Sequence, residues 1–209
     1  MTSKVSSSIF SYNWYRGFIQ GKTRIALAWF FAFVIGFSAR SFPALPGVVL
    51  CFLGATVRFW ASGYLRKDSR PAVGGPYAFV RNPLYLGTYL MALGIIWAIH
   101  QYILLAVISV LFAAVYHYII LDEEIKLQKL FGKYYESYCK LVPRFFPRVW
   151  PPLCPASKKS LVKVNPELDH HDYSWKLAVK NKAYEAYASF LGLVVFVTIT
   201  AYFWKKFAN

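Results

Sequence analysis

The sequence has little charge, and very little of it is negative. Only 16% of its 209 residues are charged, and nine acidic residues stand against 24 lysines and arginines. Hydrophobic residues make up 57% of the chain and aromatic residues 20%. A soluble domain of this size needs more polar surface than that composition supplies. The shortage of charge therefore excludes an ordinary soluble globule and predicts a chain that lies in a bilayer.

Cysteine is scarce as well, at three residues. Cys51, Cys139 and Cys154 share no metal-type spacing, and two of them fall in a basic region where we expect thiols to stay reduced. No disulfide framework is predicted. The aspartates and histidines at 169–172 have the residue types of a metal site, but no third and fourth ligands follow at fixed spacing. We therefore predict no metal.

Five apolar segments are candidates for membrane spans, compared with the roughly 17–25 residues that cross a hydrocarbon core. They are 25–39, 45–65, 83–99, 102–121 and 186–204. Prolines between the first two segments favour a tight hairpin, and a re-entrant hairpin stays open as an alternative. The predicted fold class is all-α, a multi-pass transmembrane protein with about five spans.

The positions of lysine and arginine predict an orientation. These residues cluster before the first span, in the 62–82 loop and in region 122–182, whereas the joint between the third and fourth spans has none. The amino terminus and both basic regions are therefore expected in the cytoplasm, in a bacterial inner membrane or the endoplasmic reticulum. A net charge of +15 on that side favours anionic lipids as partners. Nucleic acid is not expected, because the basic residues form no separate domain.

These patterns divide the chain into four parts. We predict a cytoplasmic amino-terminal segment, a transmembrane core, a cytoplasmic basic linker and a carboxyl-terminal transmembrane helix, at 1–24, 25–148, 149–182 and 183–209. A cleaved signal peptide is disfavoured, because the basic stretch before the first apolar segment is long.

One stretch, GGPYAFVRNPLYLG at 74–87, places conformationally restricted residues directly before an apolar run. The Gly-Gly-Pro step predicts a turn, and Asn82 before Pro83 favours a helix that begins at Pro83. A helix start exposes unpaired N–H groups, and Arg81 adds a fixed cation beside them. The pattern predicts a carboxylate or phosphate site. An interfacial anchor with tyrosines in an aromatic belt is the open alternative.

An acidic cluster at 122–124 follows the fourth apolar segment. Glu123 and Glu124 are well placed to hold a cationic centre within a strongly basic region. The alternative is that they only favour the amino-terminal dipole of the next helix. Tyr116 and His117 lie seven residues earlier, on matching helical faces. They are therefore candidates for contacts with the same ligand or its reaction partner.

Three further features concern the surroundings of these residues. Arg58 lies inside the second apolar segment, where a cation lines a cavity, finds a partner or snorkels to the interface. Apolar residues at helical spacing between lysines predict an amphipathic helix at the membrane surface over 122–141. Prolines from 143 to 155 then predict an extended strap.

Taken together, GGPYAFVRNPLYLG, the Glu-Glu pair and the run EEIKLQKLFGKYYESYCKLVPRFFP resemble the isoprenylcysteine carboxyl methyltransferase and phospholipid methyltransferase superfamily of small integral membrane enzymes. The similarity covers roughly residues 47–148. Eukaryotic carboxyl methyltransferases have histidine where this chain has Asn82, so an acceptor other than a prenylated cysteine stays open.

The resemblance implies an S-adenosylmethionine-dependent methyltransferase, with the amphipathic helix over an enclosed cofactor and a lipophilic substrate entering from the bilayer. Implied cofactor contacts are Tyr77, Arg81, Asn82, Pro83, Tyr85, Gly87, Phe131, Tyr135 and Tyr138. The candidate catalytic residues are Glu123, Glu124 and Arg144. A carboxylate takes the proton of an amine acceptor, whereas an arginine orients a carboxylate acceptor. Candidate substrate contacts are Arg58, Tyr116 and His117.

Two other classes of function stay open from the sequence. A membrane reductase of sterol-reductase type has a related fold and takes NADPH. A non-enzymatic scaffold or channel uses its basic loops only to bind anionic lipid. The sequence does not determine the methyl acceptor, because its glutamates suit an amine and its arginines suit a carboxylate.

Overall fold

The computed structural model describes residues 30, 31, 33–66, 71–147 and 172–207. Its helices are α1 (Leu45–Ser62), α2 (Pro83–Ala98), α3 (Tyr102–Leu141), α4 (Trp175–Lys180) and α5 (Tyr184–Phe207), with a 3₁₀ turn at Gly75–Ala78. Residues 33–38 are helical as well, and the described part of the chain contains no strand. The all-α fold class predicted from the sequence is confirmed.

Three of the helices, α1, α3 and α5, are long and apolar enough to cross a membrane. At 16 residues, α2 is apolar but shorter. The first predicted span, 25–39, lies partly outside the described residues. The chain is thus an integral membrane protein by helix length and composition, and the number of five spans stays a prediction.

A tight turn joins α2 to α3 and sets the geometry of the later site. His100 adopts a positive φ of 57°. Its N–H bonds the Trp97 carbonyl at 2.9 Å, and the Gln101 N–H bonds the Ile96 carbonyl at 3.2 Å. This is the hydrogen-bond pattern that closes a helix end around a left-handed residue. Because the connection is so short, α2 and α3 run as an antiparallel hairpin, which brings the beginning of α2 beside the middle of α3.

Helix α1 packs on α2 more extensively than any other pair of described elements. Two glycines on each helix, seven residues apart, make this approach possible. A Cβ at Gly54 would lie 2.6 Å from the carbonyl oxygen of Gly87, and a Cβ at Gly94 would lie 2.7 Å from that of Gly47. Real side chains do not approach a backbone so closely, so the crossing depends on small residues, as in other membrane helix pairs.

Replacing Gly94 by alanine is expected to lower stability by about 1–3 kcal/mol, because the added methyl group forces the two backbones apart. The loss is measured as a lower unfolding midpoint in detergent micelles. Gly192→Ala in α5 is the matched control, since a Cβ there meets no atom within 4 Å. An equal effect of both substitutions would contradict the packing argument.

The sequence predicted a span followed by a separate amphipathic helix from 122, whereas in the structure α3 stays helical through 122–124 and its two helical stretches meet at a kink at Gly132. Its one internal break is Gly132, with φ 51° and ψ −130°. After the break, the tyrosines of α3 bury in a cluster with Val73 and Val142. Glycine suits the break because a positive φ costs it little. The kink therefore turns the end of α3 onto the segment before α2.

The described chain divides into two compact units. The larger unit, 43–195, contains α1 to α4 and the first part of α5, whose Ala186 packs in a cluster with Cys51, Ala55 and Met91.

The smaller unit combines residues up to 42 with residues from 196 onward. Within it, the rings of Phe37 and Trp204 meet edge to face at 5.6 Å, and the Arg40 guanidinium lies 5.2 Å from the Trp204 ring centre.

Candidate active site

A cavity of about 290 Å³ lies where the turn before α2, the first turn of α2 and the second half of α3 meet. This volume is at the lower end of the roughly 300–1,000 Å³ of small-molecule sites. We call it the first cavity. Its lining residues are Leu65, Arg66, Pro71, Ala72, Tyr77, Arg81, Asn82, Pro83, Leu84, Tyr85, Glu123, Leu127, Phe131, Tyr135 and Tyr138.

Two arginines hold one carboxylate beside this cavity. Arg81 Nη1 lies 2.9 Å from Glu124 Oε1, and Arg144 Nη2 lies 2.9 Å from Glu124 Oε2. Arg144 Nε also donates to Oε1 at 3.1 Å. The Arg81 and Glu124 side chains are each 12% exposed. Since both carboxylate oxygens accept from guanidinium groups, Glu124 ties α3 to the segment before α2 and to the strap after α3.

Backbone contacts close the same junction. The Arg81 N–H donates to the Pro143 carbonyl, and Asn82 Nδ2 donates to the Arg144 carbonyl, both at 2.9 Å. The Tyr138 hydroxyl donates to the Tyr77 carbonyl at 2.6 Å. Residues 142–147, which include the described part of the predicted strap, have no regular secondary structure, and residues 148–155 lie outside the described residues. These bonds therefore hold residues 142–147 against the start of α2.

Two buried polar atoms at the first cavity lack a hydrogen-bond partner among the described residues: the Tyr77 hydroxyl and Arg81 Nε. Leaving such a group unpaired costs about 1–3 kcal/mol, so a pair of them at one cavity indicates a polar ligand. Burial raises the pKa of Tyr77 well above the usual range for a phenol, and the nearby Glu123 carboxylate raises it further. Its hydroxyl therefore stays protonated at neutral pH and is available as a donor to a ligand.

Glu123 supplies negative charge at the cavity wall. The Tyr85 hydroxyl donates to Glu123 Oε2 at 2.9 Å, and both side chains line the first cavity. Glu123 is exposed and, unlike its neighbour Glu124, forms no ion pair within the described residues. Its carboxylate is thus the acidic group that faces the cavity.

A second cavity, of about 240 Å³, lies between α2, the apolar half of α3 and the strap. Its lining is mostly aromatic, and the Phe112 and Tyr116 rings stack at 3.8 Å. The lining residues are Tyr89, Ser109, Phe112, Ala113, Tyr116, His117, Ile120, Arg144, Phe145 and Phe146. Such a surface suits an apolar chain that ends in one polar group.

The two cavities share a wall. Tyr85 of the first cavity and Tyr116 of the second lie 5.1 Å apart between ring centres. Arg81 of the first binds Oε1 of Glu124, and Arg144 of the second binds both oxygens of the same carboxylate. The polar first cavity and the aromatic second cavity therefore adjoin at the rings of Tyr85 and Tyr116 and at the carboxylate of Glu124.

The structure brings most of the predicted site residues together. Every predicted cofactor contact except Gly87 lines the first cavity, and Tyr116, His117 and Arg144 line the second. Gly87 instead packs against α1, and Arg58 donates from Nη1 to Thr88 Oγ1 with its stem against Gly87. Arg58 and Gly87 are thus part of the helix crossing and line neither cavity.

Several lining residues were missed by the reasoning from sequence: Leu65, Arg66, Pro71, Ala72, Leu84 and Leu127. Leu127 lies one helical turn before Phe131 on the same face, so periodicity alone could have found it. Leu84 is in the first turn of α2, next to the predicted contact Pro83. The other four come from the irregular segment between α1 and the 3₁₀ turn, where the sequence carries no periodic signal.

Among the described residues, no group of three or more histidine, cysteine, aspartate and glutamate side chains could hold a metal ion. The metal-like run at 169–172 lies outside them except for its last residue.

The fold and the paired cavities define a multi-pass, all-helical membrane protein with an internal polar site. Residues 48–134 match the sequence profile of the phospholipid methyltransferase family. That range contains most of α1, all of α2, most of α3 and most of the first cavity's lining. The match covers less than half of the chain, and it confirms the resemblance seen in the sequence.

Three curated proteins are similar to part of the chain. The nickel-cobalt-cadmium resistance protein NccN of Alcaligenes xylosoxydans xylosoxydans is 30% identical over 105 residues, 49% of this chain and 47% of that protein. The cobalt-zinc-cadmium resistance protein CzcN of Cupriavidus metallidurans is 33% identical over the same shares. Protein-S-isoprenylcysteine O-methyltransferase of Schizosaccharomyces pombe is 32% identical over 83 residues, 40% of this chain and 35% of that enzyme.

The chain thus spans about half the length of the first two relatives. No solved structure matches the chain.

Proposed function

We propose that this protein transfers a methyl group from S-adenosylmethionine to a lipophilic acceptor held in the membrane. The observation that carries the proposal is the pair of adjoining cavities, one polar and one aromatic, which meet at Tyr85, Tyr116 and Glu124. A water-soluble methyl donor and a lipid-soluble acceptor need two adjoining cavities of this kind. The family match of residues 48–134 supports the same chemistry.

The first cavity fits the donor. Arg81 Nε and the Tyr77 hydroxyl are buried without partners and suit the donor's carboxylate and polar groups. Phe131 and Tyr135 offer aromatic surface for the adenine and the sulfonium. Glu123 adds a negative charge at the wall. When bound, S-adenosylmethionine supplies an electrophilic methyl group on a positively charged sulfur.

The second cavity fits the acceptor. Its aromatic lining suits an isoprenoid or acyl chain, and Arg144 and His117 offer polar groups at one end. Methyl transfer by displacement mainly needs alignment of the reactants and exclusion of water. The strap contributes to both, since Phe145 and Phe146 line this cavity and the contacts of Asn82 and Arg81 hold the strap in place.

The position of the two glutamates bears on proton transfer. Both oxygens of Glu124 accept from arginines, so Glu124 serves better as a positioning residue for Arg81 and Arg144. Glu123 faces the first cavity and is the better base if the acceptor is an amine. A carboxylate acceptor needs no base and pairs with Arg144. The basic region around the site is proposed to face the cytoplasm and to attract anionic lipids.

The test uses purified full-length protein in lipid nanodiscs. Calorimetry is expected to detect binding of S-adenosylmethionine, and methyl-labelled donor is expected to label a lipid or lipidated-peptide fraction from host membranes. A mass increase of 14 daltons identifies the acceptor. Stabilisation by NADPH in place of S-adenosylmethionine would favour a reductase. Absence of binding by either ligand would favour a scaffold and contradict the proposal.

A further inference from the structure

A third cavity lies away from the paired chambers, where α4 meets the end of α1. It has a volume of about 390 Å³, and its polar lining includes Arg66, Ser174, Lys176 and Lys180. It shares only Leu65 and Arg66 with the first cavity and no residue with the second. The family match does not include α4, and the sequence predicted only that the basic regions as a whole attract anionic lipids.

Hydrogen bonds fix the walls of this cavity. The Ser174 N–H donates to the Gly63 carbonyl at 3.1 Å, just beyond the end of α1. Asn181 Nδ2 donates to the carbonyls of Ser62 and Leu65, at 2.9 and 2.7 Å. These bonds satisfy carbonyl groups that a helix end leaves unpaired. They also hold α4, only six residues long, in one position against α1.

The cavity gathers cations that form no ion pair within the described part of the chain. Arg66, Lys176 and Lys180 form no ion pair with any described carboxylate, and no acidic residue lines the cavity. Lys182, just beyond, pairs with Glu185 at 3.5 Å, so the lining lysines are the unpaired ones. Lys176 and Lys180 are one helical turn apart, a spacing at which like charges oppose helix formation. A bound anion removes that repulsion.

The location indicates what the anion is. The cavity lies beside the end of α1 and the start of α5, two helices long and apolar enough to cross a membrane. The exposed indole of Trp175 next to Lys176 suits a membrane interface. Basic pockets beside membrane helices bind phosphate-bearing headgroups. We propose that Arg66, Lys176 and Lys180 bind the phosphate of an anionic phospholipid headgroup.

The test is binding of phosphatidylglycerol to the full chain in detergent micelles without any methyl donor. The unfolding temperature is expected to rise with added phosphatidylglycerol and much less with phosphatidylcholine. The double variant Lys176→Gln, Lys180→Gln is expected to need about 30-fold more phosphatidylglycerol for the same rise, from the usual contribution of two lysines near anionic lipid. The charge-retaining variant Lys176→Arg, Lys180→Arg is expected to keep most of the effect.

Lys129→Gln combined with Lys133→Gln is the matched control. It removes two exposed lysines, also four positions apart, from the part of α3 beyond its apolar half. An equal loss in both double variants, or equal stabilisation by both lipids, would overturn the site in favour of general surface charge. If the glutamine pair does not fold, Lys180→Gln alone is measured against Lys133→Gln on the same criterion.

A separate arm adds inorganic phosphate at constant ionic strength. A rise in unfolding temperature that disappears in the Lys176, Lys180 glutamine variant would retain the phosphate site but assign it to a soluble phosphate, overturning the lipid as its source. No rise with free phosphate supports the lipid headgroup. Because no donor is present, failure here leaves the methyl-transfer proposal unaffected, and loss of donor binding leaves this site unaffected.

Discussion

Replacing Glu124 by alanine is expected to abolish the proposed methyl transfer and to lower stability by about 3 kcal/mol. Removing the carboxylate leaves Arg81 and Arg144 beside each other without their counter-charge, and breaking a buried pair costs about 3–5 kcal/mol. We expect the lower end because Arg144 is 39% exposed and water screens part of its charge. Denaturant titration in mixed micelles measures the stability, and label transfer to lipid measures the activity.

Glu136→Ala is the matched control for stability. Its carboxylate pairs with Lys140 at 3.1 Å, but both side chains are more than half exposed. Exposed pairs contribute between zero and about 1 kcal/mol, so this variant is expected to remain close to the wild type. A similarly small loss in Glu124→Ala would contradict the role of Glu124 as the joint between α3 and the strap.

Glu124→Gln separates a positioning role from a base. Glutamine keeps the shape of the side chain but loses the charge that orients both guanidinium groups. If Glu124 positions Arg81, this variant weakens donor binding and lowers kcat together. If Glu124 is the base, kcat falls while the donor Kd stays near the wild-type value. The two oxygens bound by arginine lead us to expect the first result.

The sequence predicted the helices well where a local signal exists. Asn82 before Pro83 predicted the start of α2, and the structure begins that helix at Pro83. Helical spacing of apolar residues predicted the end of α3 up to Leu141, where the helix ends. The sequence did not predict that α3 stays helical through the acidic residues at 122–124. The chain changes direction only at Gly132.

The sequence predicted which residues belong to the candidate site but not which of them contact one another. Arg81, Glu124 and Arg144 were each named, whereas their mutual contact depends on the strap folding back 62 residues after Asn82. No periodicity reports that contact. Gly87 stands within the motif that carries the resemblance, yet a Cβ added there would meet Gly54 and Arg58 of α1. A motif position can thus serve helix packing.

Replacing Arg81 by alanine is expected to weaken binding of S-adenosylmethionine by about 10- to 100-fold. Hydrogen bonds to charged groups contribute about 1.5–3 kcal/mol, and Arg81 Nε is a buried donor at the cavity without a partner among the described residues. The fold is expected to tolerate the change better than loss of Glu124, because Arg144 still pairs with Glu124. Calorimetric titration of the donor measures the affinity.

Two further variants define what Arg81 contributes. Arg81→Lys keeps the charge but loses the Nε donor and the planar fork, so it is expected to recover only part of the affinity. Arg40→Ala removes an arginine that contacts Trp204 in the smaller unit and lines neither cavity of the candidate site. It is expected to bind the donor like the wild type. If Arg81→Ala keeps wild-type affinity while kcat falls, Arg81 acts on the acceptor side, and the assignment of the first cavity to the donor is wrong.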